Sequence, residues 1–216
     1  MTMTFEEILN KIDELTTSDS SWLSDYEDEL MLDQNNEHHL EGEVGNHVIL
    51  MLEALKEHPE YGDLTEDEVR DLEQAIMWSD LGKLATYKDS PKKTWPDGRP
   101  QGTAFGHDKK SAMMYLESKS ERPRPNNRVF WIIKEHMNAH KLKEMDEQGK
   151  TGIPEFLKPQ VEDCEPGFWP EWYNLDIPHG ESLSKKAYAW IERGASKLLR
   201  IKQYCDDKGR KSEVSF

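Results

Sequence analysis

The sequence predicts an all-α, single-domain protein, and three observations lead there. Apolar residues recur at helical spacing in several separate segments. A helix-start signal, Thr65-Glu-Asp-Glu68, has the form of a capping box. No segment shows the apolar–polar alternation of a half-buried strand.

Taken in order, residues 4–16 read as an amphipathic helix with Phe5, Ile8, Leu9, Ile12 and Leu15 on one face. Residues 18–29 are polar and acidic, with Trp22 and Leu23 as anchors to the body. Residues 33–43 form a polar turn region containing His38 and His39. Val44, Val48, Met51 and Leu55 mark the next helix, which ends near His58-Pro59. The helix begun at Thr65 carries the stripe Val69, Leu72, Ile76 and Asp80, with Gly82 as its expected stop. Tyr87 to Gly102 is rich in Lys, Pro and Gly and reads as a loop. Helices are expected from about His107 to Ser118 and from about Pro125 to His140. Residues 141–182 read as an elaborated irregular segment with Phe168, Trp169, Trp172 and Tyr173 as anchors. A last helix from about Leu183 to Tyr204 turns Ala187, Trp190, Ile191, Leu198 and Ile201 inward.

Composition narrows the function classes. The 216 residues carry 28 Lys+Arg against 43 Asp+Glu, a formal charge of −15. Such a surface disfavours extensive nucleic-acid binding or docking on an anionic membrane, both of which need a basic face. No apolar run approaches the length of a membrane span. The first residues lack the basic and apolar regions of a secretory signal. Cys164 and Cys205 form no CxxC pattern, so a reducing, cytoplasmic setting is expected. The negative charge is uneven: Lys83, Lys88–Lys93, Lys109, Lys110, Arg122, Arg124 and Arg128 make the stretch 83–128 locally basic. That asymmetry suits a small anionic substrate. Trp95 and the 168–173 aromatics are candidates for stacking a base, with packing as the commoner role.

Three apolar stripes carry a polar residue of metal-ligand type. His47 sits among Val44, Val48 and Met51; Asp80 follows Ile76; His136 follows Ile133 and Val129. A single inward His is more often a hydrogen-bonded core group. Several together, with His107 and Asp206, need partners to offset burial, and coordination of a cation is a common one. His140 lies one turn past His136 on the expected helix.

Four segments, in order, carry a resemblance. They are Asn46-His47-Val-Ile-Leu-Met-Leu, Ala75-Ile-Met-Trp-Ser79-Asp80-Leu-Gly-Lys83, Phe105-Gly-His107-Asp-Lys-Lys and Leu199-Arg-Ile-Lys-Gln-Tyr-Cys-Asp206-Asp-Lys-Gly-Arg210. Together they resemble the HD-domain phosphohydrolase superfamily, more narrowly the HD domain attached to bacterial tRNA nucleotidyltransferases, over roughly 39–140 and 183–210. The nucleotidyltransferase head does not fit in this chain.

The resemblance implies one HD-like helical bundle over 1–216, with a helical extension at 1–35 and the irregular insertion at 141–182. It implies one or two divalent cations (Mn, Fe, Ni, Co, Zn or Mg) held by His47, Asp80, His107, His136 and Asp206, with Asp80 bridging if two bind. The implied function is a phosphohydrolase acting on a nucleotide or a nucleic-acid phosphate end, of phosphomonoesterase or 2',3'-cyclic phosphodiesterase type. Lys83, Lys109 and Lys110 would receive the phosphate, and His140 would assist through water.

The chain departs from that pattern at Ser79, where the doublet His would stand. Serine is a poor ligand at neutral pH, so the His47–Asp80–Asp206 set is weakened while Asp80–His107–His136 is complete. Three outcomes follow: a single-metal enzyme, a ligand rerouted from His39 or His140, or a catalytically weakened module that binds a nucleotide or a partner protein.

Overall fold

The computed structural model describes residues 3–118, 127–149 and 196–210. Within them the protein is mostly helical, with one small antiparallel sheet.

Helix α1 (Phe5–Leu15) opens with a capping box in which Thr4 and Glu7 satisfy each other's backbone N–H groups. It buries Ile8 and Ile12 and lies on α3. The approach is close enough that a Cβ on Gly45 would meet Ile8 Cγ2 at 2.7 Å. A 3-10 turn (Ser21–Tyr26) and the short α2 (Glu27–Leu30) follow, and Trp22 and Leu23 are buried as expected.

Helix α3 (Val44–Lys56) and the last helix form the central pair. Helix α4 (Glu66–Ser79) starts at the expected Thr65–Glu68 capping box. Its C-terminal end is fixed by a buried aromatic cluster, with Trp78 stacked on Trp22 at 4.1 Å between ring centroids and edge-on to Tyr26 and Tyr115. Such pairs add about 0.5–1.5 kcal/mol each beyond their buried area. The helix ends at Ser79 with Asp80 as C-cap, so Gly82 is not its stop. Gly82 is required by a crossing instead: a Cβ there would lie 2.6 Å from both the His107 carbonyl oxygen and the Ser111 nitrogen.

Helix α5 (Lys83–Thr86) leads into a hairpin, β1 (Lys88–Thr94) and β2 (Pro100–Thr103). The expected loop at 87–102 is therefore an antiparallel pair with register irregularity between Asp89 and Thr94. It buries almost nothing along β1, so it leaves no alternating apolar pattern. Its support is polar: Trp95 Nε1 donates to Asn35 Oδ1 at 2.9 Å, and Gly102 N donates to the Asn35 carbonyl at 2.6 Å.

Helix α6 (His107–Ser118) has the expected bounds. The helix expected from Pro125 to His140 is divided into α7 (Asn127–Glu135), a 3-10 turn (His136–Asn138) and α8 (Ala139–Glu147). The break has a local cause. His136 Nδ1 takes the Ile133 carbonyl at 2.6 Å, which a continued α-helix would give to the N–H of Met137. Helix α8 also occupies part of the 141–182 segment expected to be irregular; the rest, with Phe168, Trp169, Trp172 and Tyr173, lies outside the described residues, as do Cys164, Arg122 and Arg124. The described last helix, α9, is Ser196–Gly209. It passes the expected end at Tyr204 and so places Asp206 within the helix; Ala187, Trp190 and Ile191 lie outside the described residues. Among the described residues no helix is long and apolar enough to cross a membrane.

Candidate metal centre

The five residues singled out as ligands converge. His47 arrives from α3, Asp80 from the C-cap of α4, His107 from the first turn of α6, His136 from the break after α7, and Asp206 from α9. All five are buried. Two three-ligand groups share Asp80: Asp80–His107–His136 and His47–Asp80–Asp206, each with its donor atoms within 4.8 Å of one another.

The first group is the more demanding. His107 Nδ1 faces the Ala104 carbonyl at 2.7 Å, and His136 Nδ1 faces the Ile133 carbonyl at 2.6 Å. A carbonyl only accepts, so each ring donates from Nδ1, and in the neutral ring that leaves the Nε2 lone pair for a ligand. Those two Nε2 atoms face each other at 3.0 Å. Asp80 Oδ1 lies 3.2 Å from His107 Nε2 and 3.9 Å from His136 Nε2. The three edges define a triangle with one point about 2.0 Å from every corner, the bond length of a transition metal to imidazole or carboxylate. Burial, together with neighbouring Lys202 and His107, pushes His136 well below the ordinary His range, so it is neutral and able to ligate. Burial would raise the Asp80 carboxyl, but Lys83, His107 and His47 hold it well below the usual carboxylate range. Asp80 Oδ2 is buried without a hydrogen-bond partner. The residues present therefore fit a divalent cation.

The second group is organised differently. His47 Nε2 lies 3.1 Å from Asp206 Oδ1 and 3.5 Å from Asp80 Oδ2. Its Nδ1 faces Glu41 Oε1 at 2.9 Å and the Gly209 carbonyl at 3.2 Å. Burial opposes charge on His47, yet the bonds to Asp206 and Glu41 raise it above the ordinary value. Glu41 also bonds His39 Nδ1 at 2.6 Å, making a third group of possible ligands, His39–Glu41–His47. His39 thus approaches His47 from the side away from Asp80, and Glu41 was not foreseen. Ser79 contributes no ligand to the centre: it is buried, and its Oγ donates to the Ile76 carbonyl at 3.1 Å.

A cavity of about 840 Å³ opens onto Asp80, His107, His136 and Asp206. Lys83, His140, Lys109 and Arg210 also line it, while Lys110 does not. Lys83 is buried, with Nζ 3.2 Å from Asp80 Oδ1 and bonded to Gln34 Oε1. His140 Nδ1 faces Gln203 Nε2 at 3.0 Å, and its Nε2 lies 3.9 Å from Asp206 Oδ2. Lys92 and Lys93 of the hairpin reach the rim. Arg128 is turned away from the cavity and pairs with Asp71. Trp95 does not line it either, but Phe105, 88 % exposed, stands at its lip.

Two basic residues that sequence reasoning did not single out stand beside Asp206. Lys202 Nζ is 3.8 Å from Asp206 Oδ1, and Arg210 Nη2 bonds Asp206 Oδ2. Burial would raise the Asp206 carboxyl; Lys202, His47 and Arg210 hold it well below the usual range. The signal for Lys202 was its place on the inward stripe with Leu198, Ile201 and Cys205.

Comparison of the chain with protein-family models, with curated proteins and with solved structures returned no match.

Proposed function

We propose that the protein is a metal-dependent phosphohydrolase of the HD-domain type, acting on a nucleotide or a nucleic-acid phosphate end as a phosphomonoesterase or 2',3'-cyclic phosphodiesterase. One observation carries the reading: two buried imidazole lone pairs and one buried carboxylate meet around a single point at the floor of a cavity. The cavity volume is in the range of small-molecule sites.

A divalent cation held by Asp80, His107 and His136 would polarise a phosphoryl oxygen and acidify water. The chain's own residues prepare the remainder. The Ala104 and Ile133 carbonyls fix both imidazole tautomers, so no reorganisation precedes ligation. Lys83 presents a buried positive charge beside Asp80, where a phosphate would come to rest. Lys109 and the hairpin lysines give the mouth a positive rim on an otherwise acidic protein, which draws in small anions. His140, half-buried and beside Asp206, is placed to relay a proton through water. Phe105 offers a ring face for a nucleobase at the lip.

The test is phosphate release from nucleoside mono-, di- and triphosphates and 2',3'-cyclic nucleotides, after chelation and reloading with Mn, Co, Ni, Zn or Mg. Turnover restored by a metal, and lost in folded His107→Ala and His136→Ala variants, is the expected result. No turnover and no bound metal under any of these conditions overturns it. The second reading, a catalytically weakened nucleotide-binding or protein-interaction module, is favoured by the turn of Ser79 into its own helix. It predicts nucleotide binding by calorimetry without phosphate release.

A further inference from the structure

The two ends of the centre differ in how many cations stand against their carboxylates: Asp80 has Lys83 beside Oδ1 and leaves Oδ2 without a hydrogen-bond partner, whereas Asp206 has a cation beside each oxygen. Asp206 Oδ1 faces His47 Nε2 at 3.1 Å and Lys202 Nζ at 3.8 Å. Asp206 Oδ2 is bonded by Arg210 and lies 3.9 Å from His140 Nε2. Helix α9 thus sets Lys202 a turn before Asp206, and Arg210, just past the helix end, lies four residues after it. The Lys202 side chain is 1 % exposed, and its Nζ has no hydrogen-bond partner. A buried ammonium so placed needs a fixed negative charge, and Asp206 is the nearest acid the structure gives it. A divalent ion at Asp206 would face like-charge repulsion from both Lys202 and Arg210. Ser79 meanwhile offers no ligand to offset that repulsion.

We infer that Lys202 and Arg210 take the place of a second divalent cation. The centre binds one metal, at Asp80–His107–His136, and the His47–Asp206 end is a fixed network of protein charges. Arg210 lines the cavity, and its buried Nε has no partner. Its planar fork of donors suits two oxygens of one phosphate. Arg210 therefore receives the phosphoryl group at the position where a second metal would hold it. This role rests on the phosphohydrolase reading, whereas the metal count does not.

The test uses the full chain stripped with a chelator and titrated with Mn²⁺, counted by elemental analysis and followed by electron paramagnetic resonance. One ion per chain and the six-line spectrum of an isolated ion are expected. The Ser79→His/Lys202→Met/Arg210→Gln triple variant should take a second ion and show a spin-coupled spectrum. Two ions per chain with a coupled spectrum in the unaltered protein overturn the inference, as does a folded triple variant that stays at one. If the triple variant does not fold, the count in the unaltered protein decides alone. Arg210→Gln should keep one Mn²⁺ and weaken inorganic phosphate binding at least tenfold; unchanged phosphate affinity overturns the role of Arg210. No bound ion at all removes both this inference and the phosphohydrolase reading. One ion without turnover supports the one-metal centre and removes the phosphohydrolase reading alone.

Discussion

His107 Nε2 and His136 Nε2 face each other at 3.0 Å in a buried pocket, with the opposite nitrogen of each ring fixed against a backbone carbonyl. Two lone pairs at that distance repel unless a proton or a metal ion lies between them, and Asp80 adds a third donor to the same point, which suits a metal. Removing either ring should therefore lower metal content more than stability. His107→Ala and His136→Ala should each lower Mn²⁺ affinity at least tenfold, while the melting temperature of the metal-free form stays level or rises. Retention of wild-type metal affinity in either variant would speak against this pair as ligands.

Lys83 lies 3.2 Å from Asp80 Oδ1 and lines the cavity. Lys83→Met should reduce kcat/KM for a nucleotide by about 10–100-fold, equivalent to about 1.4–2.7 kcal/mol, with the metal count unchanged. A loss of metal with no change in KM would instead assign Lys83 to holding Asp80.

Phe105 is exposed at the cavity lip. Phe105→Ala should raise KM for nucleotides by about tenfold, in keeping with about 1–3 kcal/mol for a stacked base, and leave a sugar phosphate without a base unaffected. Equal effects on both substrates would remove the stacking role.

Gly82 is where α6 crosses the kink that presents Asp80. A Cβ there meets backbone atoms at 2.6 Å, which cannot move aside as a side-chain tip would. Ser111 ties the same crossing, accepting from Gly82 N at 2.8 Å and donating to the Ser79 carbonyl at 2.8 Å. Gly82→Ala should cost about 1–3 kcal/mol or more by chemical denaturation and weaken metal binding with it. An unaltered unfolding midpoint would contradict this packing.

Burial depresses His39 to a pKa of about 4, from the ordinary 6.5. The unfolded chain then binds more protons between those values, so the contribution of a neutral His39 is full above 6.5 and declines as pH falls toward about 4. Metal-free protein should lose more stability over that interval than His39→Gln, read from melting temperatures at matched ionic strength. Parallel curves would show that His39 is solvated.

Much of this was legible where a residue's type conflicts with its neighbours. The Thr65–Glu68 capping box fixed a helix start, and His47, Asp80 and His136 announced themselves by interrupting apolar stripes. The hairpin was illegible because β1 is exposed, contains Pro91 and buries no face. The break at His136 depends on a side chain capturing a carbonyl, which periodicity does not encode. Lys202, Arg210 and Glu41 escaped notice because charged residues are ordinarily solvated. Only the fold shows that Lys202 is enclosed beside Asp206. The HD resemblance rests on the order of four short segments, and the Ser79 side chain, the departure from that pattern, is buried and bonded within its own helix.

The most direct measurement is an anomalous difference map from a crystal soaked in Mn²⁺. One strong peak is expected about 2 Å from Asp80 Oδ1, His107 Nε2 and His136 Nε2, and none beside Asp206. A map with those three side chains in place and no peak between them would contradict a metal centre at these residues.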